Sequence, residues 1–246
     1  MASHPPSHCC TAGVVHEGTP KGELTSIKNI PTYISRPASS SAKSSKALLL
    51  LPDVIGHSFV NTQLIADQLA ANGYPVFVPD TFSGDSIPLN RPPDFDMAAW
   101  RAKHTTADVD PIVSALIAEI KSTHGATRLG ALGYCFGAKY VARFMAEGKG
   151  VDVGYMAHPS FVDADEMEAI RGPLSIAAAQ TDQIFTEEKR KESEGILKQM
   201  EQPWQITLYS HTQHGFSVRG DVSDEKIKFA KEAAFEQAVV WFNRWL

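Results

Sequence analysis

The chain predicts an α/β fold: one mostly parallel, doubly wound sheet with helices on both faces. Short apolar runs alternate with longer segments of helical periodicity almost throughout, as repeated β-α units require. The run Lys46–Leu51, KALLLL, reads as a buried strand rather than a half-exposed one. The 246 residues are enough for one large core, and neither an internal repeat nor a long linker divides them. Residues 1–20 read as an N-terminal tail and 21–246 as the domain.

Residues 21–36, KGELTSIKNIPTYISR, predict one or two extra strands at a sheet edge, and the Ser/Lys-rich stretch 39–45 predicts a loop. After KALLLL, Leu64, Ile65, Gln68 and Leu69 fall at helical spacing, so a helix is expected over 61–72 with Gly73 as its stop. YPVFV at 74–78 is the next strand. The Pro-rich join 79–96 is long for a β-to-α connection and leaves the carboxyl end of a strand, so a lid or binding loop is expected there. A helix should cover 97–122, with a break near Pro111. Strands follow at 129–133, 151–157, 174–179 and 204–209. Helical patterns lie near 166–170, 186–200 and 224–245.

Composition excludes several classes of function. With 43% hydrophobic and 21% charged residues and a net charge of −5, nothing attracts nucleic acid or an anionic membrane. No apolar run approaches the roughly 20 residues that span a bilayer. The start MASHPPSHCC lacks the basic and apolar regions of a secretory signal, so a cytoplasmic location is expected. Three cysteines make no disulfide framework, and Cys9 and Cys10 are adjacent. His4, His8, Cys9, Cys10 and His16 fit no standard zinc spacing; no Walker A, HExxH or GxGxxG motif is present, and no metal or cofactor is expected.

Cys135 stands apart. It lies in Gly133-Tyr-Cys-Phe-Gly137, between a strand and a helical pattern. That is the form of a nucleophile elbow, GxSxG, with sulfur in place of oxygen. The glycines keep side chains out of a sharp turn that lifts the thiol above the sheet and turns the next N–H groups toward a reacting oxygen. Elbow nucleophiles are followed in chain order by an acid and a histidine, each just after a strand. Asp182 ends SIAAAQTD, and His211 and His214 follow WQITLY. We take His214 for the base, because HGF allows a tight turn behind the ring, with His211 as the alternative. Alone, Asp182 would read as a helix cap and His214 as a surface histidine. The expected roles are Cys135 as nucleophile, His214 as base and then acid, and Asp182 as the group fixing the imidazole tautomer. The backbone N–H of Phe136 should form an oxyanion hole with that of Val54, or less favourably Ile55, in the loop after KALLLL.

The motifs PDVIGH, ADQLAANGYPVFVPDTFSGD, GYCFGA, AAQTD and HGF, in this order, resemble the dienelactone hydrolase (carboxymethylenebutenolidase) family, especially its fungal branch. The resemblance runs from about residue 20 to the C-terminus. It implies an α/β-hydrolase fold and a triad at Cys135, His214 and Asp182. It also implies cofactor-free cleavage of a dienelactone or a related small ester or lactone. An acidic residue in the oxyanion loop of bacterial members helps activate the thiol; the matching position is Asp53, one methylene shorter than the usual Glu. Their substrate-carboxylate arginines have a fair match in Arg219, offset by one residue, and a possible one in Arg91. Asp53, Ile55, Arg91, His158, Phe216 and Arg219 are the expected substrate-side residues, His158 with a structural loop role as its alternative. The expected partner is a small lactone or ester, and the chain a monomer or homodimer. Two rivals remain: a catalytically silent ligand-binding protein on a hydrolase scaffold, and a redox-sensing Cys135. No resolving cysteine near Cys135 in sequence supports the second.

Overall fold

The computed structural model describes residues 2–38 and 44–246, so most of the predicted loop at 39–45 lies outside the described residues. A short 3-10 turn, His8–Cys10, precedes the sheet. Strands β1 (Glu23–Ile27), β2 (Ile30–Ser35), β3 (Lys46–Leu51), β4 (Val76–Pro79), β5 (Arg128–Tyr134), β6 (Val153–Ala157), β7 (Leu174–Thr181) and β8 (Trp204–Gln213) form one sheet. Their spatial order is β1-β2-β4-β3-β5-β6-β7-β8. β1 and β2 are an antiparallel edge, as the sequence suggested, and β2 is antiparallel to β4. Every pairing from β4 through β3 to β8 is parallel.

Successive residues of a strand face opposite sides, and every residue of β6 and all but the first of β3 and β5 is buried. Both faces of the sheet centre are therefore covered. The cover comes from α1 (Val60–Ala71), α2 (Met97–Lys103), α3 (Thr106–Ser122), α4 (Gly137–Phe144), α5 (Ala164–Glu168), α6 (Glu187–Leu197), α7 (Phe216–Arg219) and α8 (Glu225–Trp245). The family-like fold expectation holds: this is a mostly parallel sheet with helices, consistent with an α/β hydrolase.

Two local expectations need correction. The helix expected over 97–122 does break, but at His104 and Thr105 rather than at Pro111, which α3 contains. The Asp108 carboxylate accepts the Thr105 N–H at 2.9 Å and its hydroxyl at 2.6 Å, which starts a new helix there. β8 runs to Gln213 rather than ending at Tyr209, because a bulge lets it follow β7 further. His211, at φ 59°, lies within that irregular stretch.

α4 starts directly at Gly137, packed on the end of β3. A Cβ at Gly137 would collide with the Leu51 carbonyl oxygen, and one at Gly133 would come within 2.6 Å of the Ala138 backbone. Neither neighbour is a flexible side-chain tip, so the elbow requires both glycines. Gly137→Ala is expected to cost about 3 kcal/mol of stability, the upper end of ordinary overpacking. Urea denaturation reads this directly, and a variant as stable as the parent would refute the steric account.

Candidate functional site

Because β3, β5, β6, β7 and β8 are parallel, the residues that follow them gather at one edge of the sheet. Neighbouring register then sets which side chains meet. Leu51 pairs with Gly133, Tyr134 with Ala157, and Thr181 with Gln213. Cys135 and His158 are thus the next residues along one pair of strands, and Asp182 and His214 along another.

Cys135 has φ 50°, a left-handed conformation that costs a non-glycine residue about 1–3 kcal/mol. The elbow imposes it: the Cys135 N–H is donated to the Ala157 carbonyl at 3.1 Å, while its own carbonyl accepts from Ser160 N at 3.0 Å and Ala138 N at 3.2 Å. Its Sγ lies 3.4 Å from the Ser160 hydroxyl.

His214 meets Asp182 with its Nδ1 at 3.0 and 3.1 Å from the two carboxylate oxygens. Asp182 Oδ1 also accepts the N–H groups of Ile184 at 2.8 Å and Phe185 at 3.0 Å. Burial works against its charge, but His214 and these N–H groups prevail and hold its carboxyl below the usual range. The tight turn expected after His214 is present, with Gly215 at φ 91° leading into α7. His211, the alternative base, is exposed, and its N–H is donated to Gln180 Oε1 at 2.7 Å.

The sequence gives no hint of Cys10 at this place. The N-terminal segment crosses the carboxyl edge of the sheet and is tied along its length. Ser3 exchanges hydrogen bonds with Val162, its N–H to the carbonyl at 3.0 Å and its Oγ from the N–H at 2.9 Å. His4 N–H reaches the Ile184 carbonyl at 2.9 Å, and the Thr11 carbonyl accepts Asn90 N–H at 2.8 Å. This brings Cys10 Sγ to 3.5 Å from His214 Nε2. The donor atoms of Cys10, Cys135 and His214 all lie within 4.8 Å of one another, and all three residues are buried. The one signal in the sequence was the pair Cys9–Cys10 itself, whose spacing says nothing about residue 135.

Electrostatics separate the two buried thiols. Burial opposes charge on Cys135, but a hydrogen bond from Cys10 and the nearby His214 and Arg219 charges hold it well below the ordinary thiol value. Burial and the contact with Cys135 push Cys10 well above that value. His214 loses charge to burial but is raised to about 10 by Cys135 and Asp182. The arrangement can therefore hold a thiolate–imidazolium pair, with Cys10 as a neutral thiol beside it. Cys9 is only half-buried, and a hydrogen bond from Cys10 outweighs its desolvation to lower it to about 6.

The expected substrate-side residues are distributed differently. Arg219 is fully buried and donates from Nη1 to Asp53 Oδ2 at 3.0 Å and from Nη2 to the Cys9 carbonyl at 3.1 Å. Burial raises Asp53 to about 6 although Arg219 opposes the shift. Asp53 Oδ1 takes the Ile55 N–H at 3.1 Å, which leaves Val54 as the freer donor of the two in that loop. Ile87 N–H is donated to the Val54 carbonyl at 2.8 Å, so the long join 79–96 braces this loop. It also lays Phe82 against Phe136, ring centres 5.1 Å apart. His158 is fully buried, bonded through Nε2 to Ser217 Oγ at 2.9 Å, with its ring centre 5.0 Å from that of His214. Burial keeps it neutral. Phe216 packs edge-on against His158 with ring centres 5.9 Å apart. Arg91 is not brought to the thiol cluster by any described contact; its loop holds it, through the Pro92 and Phe95 carbonyls and the Phe95 ring at 5.4 Å.

A sheet of this order with a cysteine elbow and a His–Asp pair at its carboxyl edge defines an α/β hydrolase. The chain belongs to the Dienelactone hydrolase family, whose sequence profile matches residues 30–246. It is similar to "Hydrolase tropI" of Talaromyces stipitatus, at 48% identity over all of this chain and 99% of the relative. It is 32% identical to "Dienlactone hydrolase 1" of Gibberella moniliformis, over all of this chain and 96% of the relative. Among solved structures, a putative dienelactone hydrolase from Klebsiella pneumoniae shares the fold, with a TM-score of 0.76 at 15% identity over 92% of this chain and 99% of that one. The family makes this chain a carboxylic ester or lactone hydrolase. No helix of the described residues is long and apolar enough to cross a membrane.

Proposed function

We propose that this enzyme cleaves small, dienelactone-like lactones or esters through Cys135, within a single catalytic domain spanning 21–246. The observation that carries the reading is the bidentate approach of His214 Nδ1 to Asp182, at 3.0 and 3.1 Å, beside a thiol held at φ 50°. Cys135 thiolate attacks the carbonyl, and the N–H groups of Val54 and Phe136 receive the developing oxyanion. His214 gives its proton to the leaving oxygen, and a thioester forms on Cys135. In a lactone the leaving alcohol stays attached to the acyl group. Acylation removes the thiolate charge that raises His214, so the imidazole becomes a competent base for the hydrolytic water. The thiolate then departs with the water's proton still on His214, which restores the resting ion pair. None of these steps uses a metal or cofactor.

Cys135 is fully buried under the N-terminal segment, so substrate entry requires that segment or the 79–96 join to shift. A cavity of about 260 Å³ bordered by Cys9, His214, Phe216 and Arg219 lies beside the catalytic histidine and offers a route. Arg219 reaches a substrate carboxylate only by leaving Asp53 or Cys9. Acidic dienelactones measured against neutral lactones and p-nitrophenyl esters therefore report whether it does so.

The deciding experiment combines turnover on that panel with intact-mass detection of an acyl adduct mapped to Cys135. Absence of turnover on every ester and lactone would favour the ligand-binding alternative. His214→Asn should lower kcat/KM by about 10³-fold or more, as loss of a general base does. In the wild type kcat/KM should hold its plateau up to about pH 10, where His214 loses its proton, and fall on the acid side as Cys135 thiolate is protonated. A plateau ending near the ordinary imidazole value would contradict the ion pair.

A further inference from the structure

We propose that Cys10, Cys135 and His214 form a binding site for a thiophilic metal cation of the Zn²⁺ class. The donors come from three distant stretches of chain, which no spacing rule joins, yet their atoms lie within 4.8 Å of one another and all three residues are buried. Tetrahedral zinc takes sulfur at about 2.3 Å and imidazole nitrogen at about 2.0 Å, which places two such ligands roughly 3.5 Å apart. Cys10 Sγ and His214 Nε2 stand at 3.5 Å.

The surroundings are built as they are behind metal-binding histidines. Asp182 accepts from Nδ1 of His214, so once the Nε2 proton is displaced the ring turns that nitrogen's lone pair toward the thiols. A carboxylate in that position orients the ring and strengthens it as a ligand. Cys10 is also held in place. Its N–H is donated to Ser7 at 3.1 Å, the Cys9 carbonyl is gripped by Arg219 at 3.1 Å, and the Thr11 carbonyl by Asn90 at 2.8 Å. Two sulfurs and one imidazole favour Zn²⁺ or Cd²⁺ over Mg²⁺ or Ca²⁺, which prefer oxygen. Binding replaces the thiol proton of Cys10 and the proton shared by Cys135 and His214, releasing two protons. The site does not depend on the hydrolytic reading, since affinity is set by the donors rather than by turnover. Occupancy would nevertheless engage the sulfur of Cys135 and Nε2 of His214, and so exclude hydrolysis while the cation is held.

The test uses the full-length chain, kept reduced by a phosphine. Cd²⁺ is titrated while its thiolate charge-transfer absorption is followed, and Zn²⁺ is titrated by calorimetry. One ion per chain is expected, with tenfold or weaker binding in Cys10→Ser and in Cys135→Ala and no change in Cys9→Ser. Zn²⁺ should raise the Tm of the wild type and not of Cys10→Ser. Cys10→Ser changes one atom, and Cys10→Ala serves as a second variant, circular dichroism confirming that each is folded. Unchanged affinity in both Cys10 variants would overturn the proposal. So would the absence of a cadmium–thiolate band in the wild type, or dependence on Cys9 instead of Cys10.

Discussion

Cys135→Ala is expected to lower kcat/KM for ester and lactone hydrolysis by roughly 10⁴-fold or more, with the fold intact. Removing an elbow nucleophile removes the covalent route, and oxyanion stabilisation alone leaves only a small residual rate. Alanine fits the space, since it keeps the Cβ and the backbone bonds to Ala157, Ser160 and Ala138 that hold the turn. The comparison that gives this variant its force is Cys10→Ala, because both thiols stand near the same imidazole. The proposed assignment to Cys135 rests on two counts: its thiol is held well below the ordinary value while that of Cys10 is pushed above it, and it sits directly before the Phe136 N–H. Steady-state kinetics of the two variants side by side decides. Turnover lost with Cys10→Ala and kept with Cys135→Ala would move the nucleophile to residue 10.

Arg219→Ala should be the most destabilising single change near the site, by about 3–5 kcal/mol, the usual cost of stranding one member of a buried ion pair. Asp53 would be left fully buried without its cation, and the Cys9 carbonyl would lose its donor. For a chain of this size that corresponds to a Tm lower by roughly 10 °C or more. Thermal unfolding of Arg219→Ala, Asp53→Asn and the double variant closes a cycle in which the double variant should be more stable than the two single losses sum to. Strict additivity would show that the pair contributes no coupling. Equal stability of Arg219→Ala and wild type would mean that Asp53 is not ionised in the folded state.

Most of the fold was legible because the central strands are short apolar runs bounded by a helix or a turn. KALLLL, RLGALGY and LSIAAAQT carry little polar interruption, and strands buried on both faces leave that signature. The errors came where a local rule met a stronger neighbour. Pro111 is accommodated inside α3 because the Asp108–Thr105 pair starts a new helix ahead of it. β8 outran its apolar stretch because β7 offers backbone partners beyond the bulge.

The identities of Cys135, Asp182 and His214 as candidates came from the sequence alone, since each follows a strand and the glycines around Cys135 have a steric purpose. Which of them touch was decided by register: Thr181 opposite Gln213 sets Asp182 beside His214 and leaves His211 in solvent. Tertiary structure alone brought Arg219 to Asp53 across 166 residues and Cys10 to His214 across 204. Periodicity and motif spacing describe what neighbours along the chain do to one another. A segment that folds back over a sheet edge is held largely through its backbone groups, which most residues carry alike, and so leaves no pattern to read.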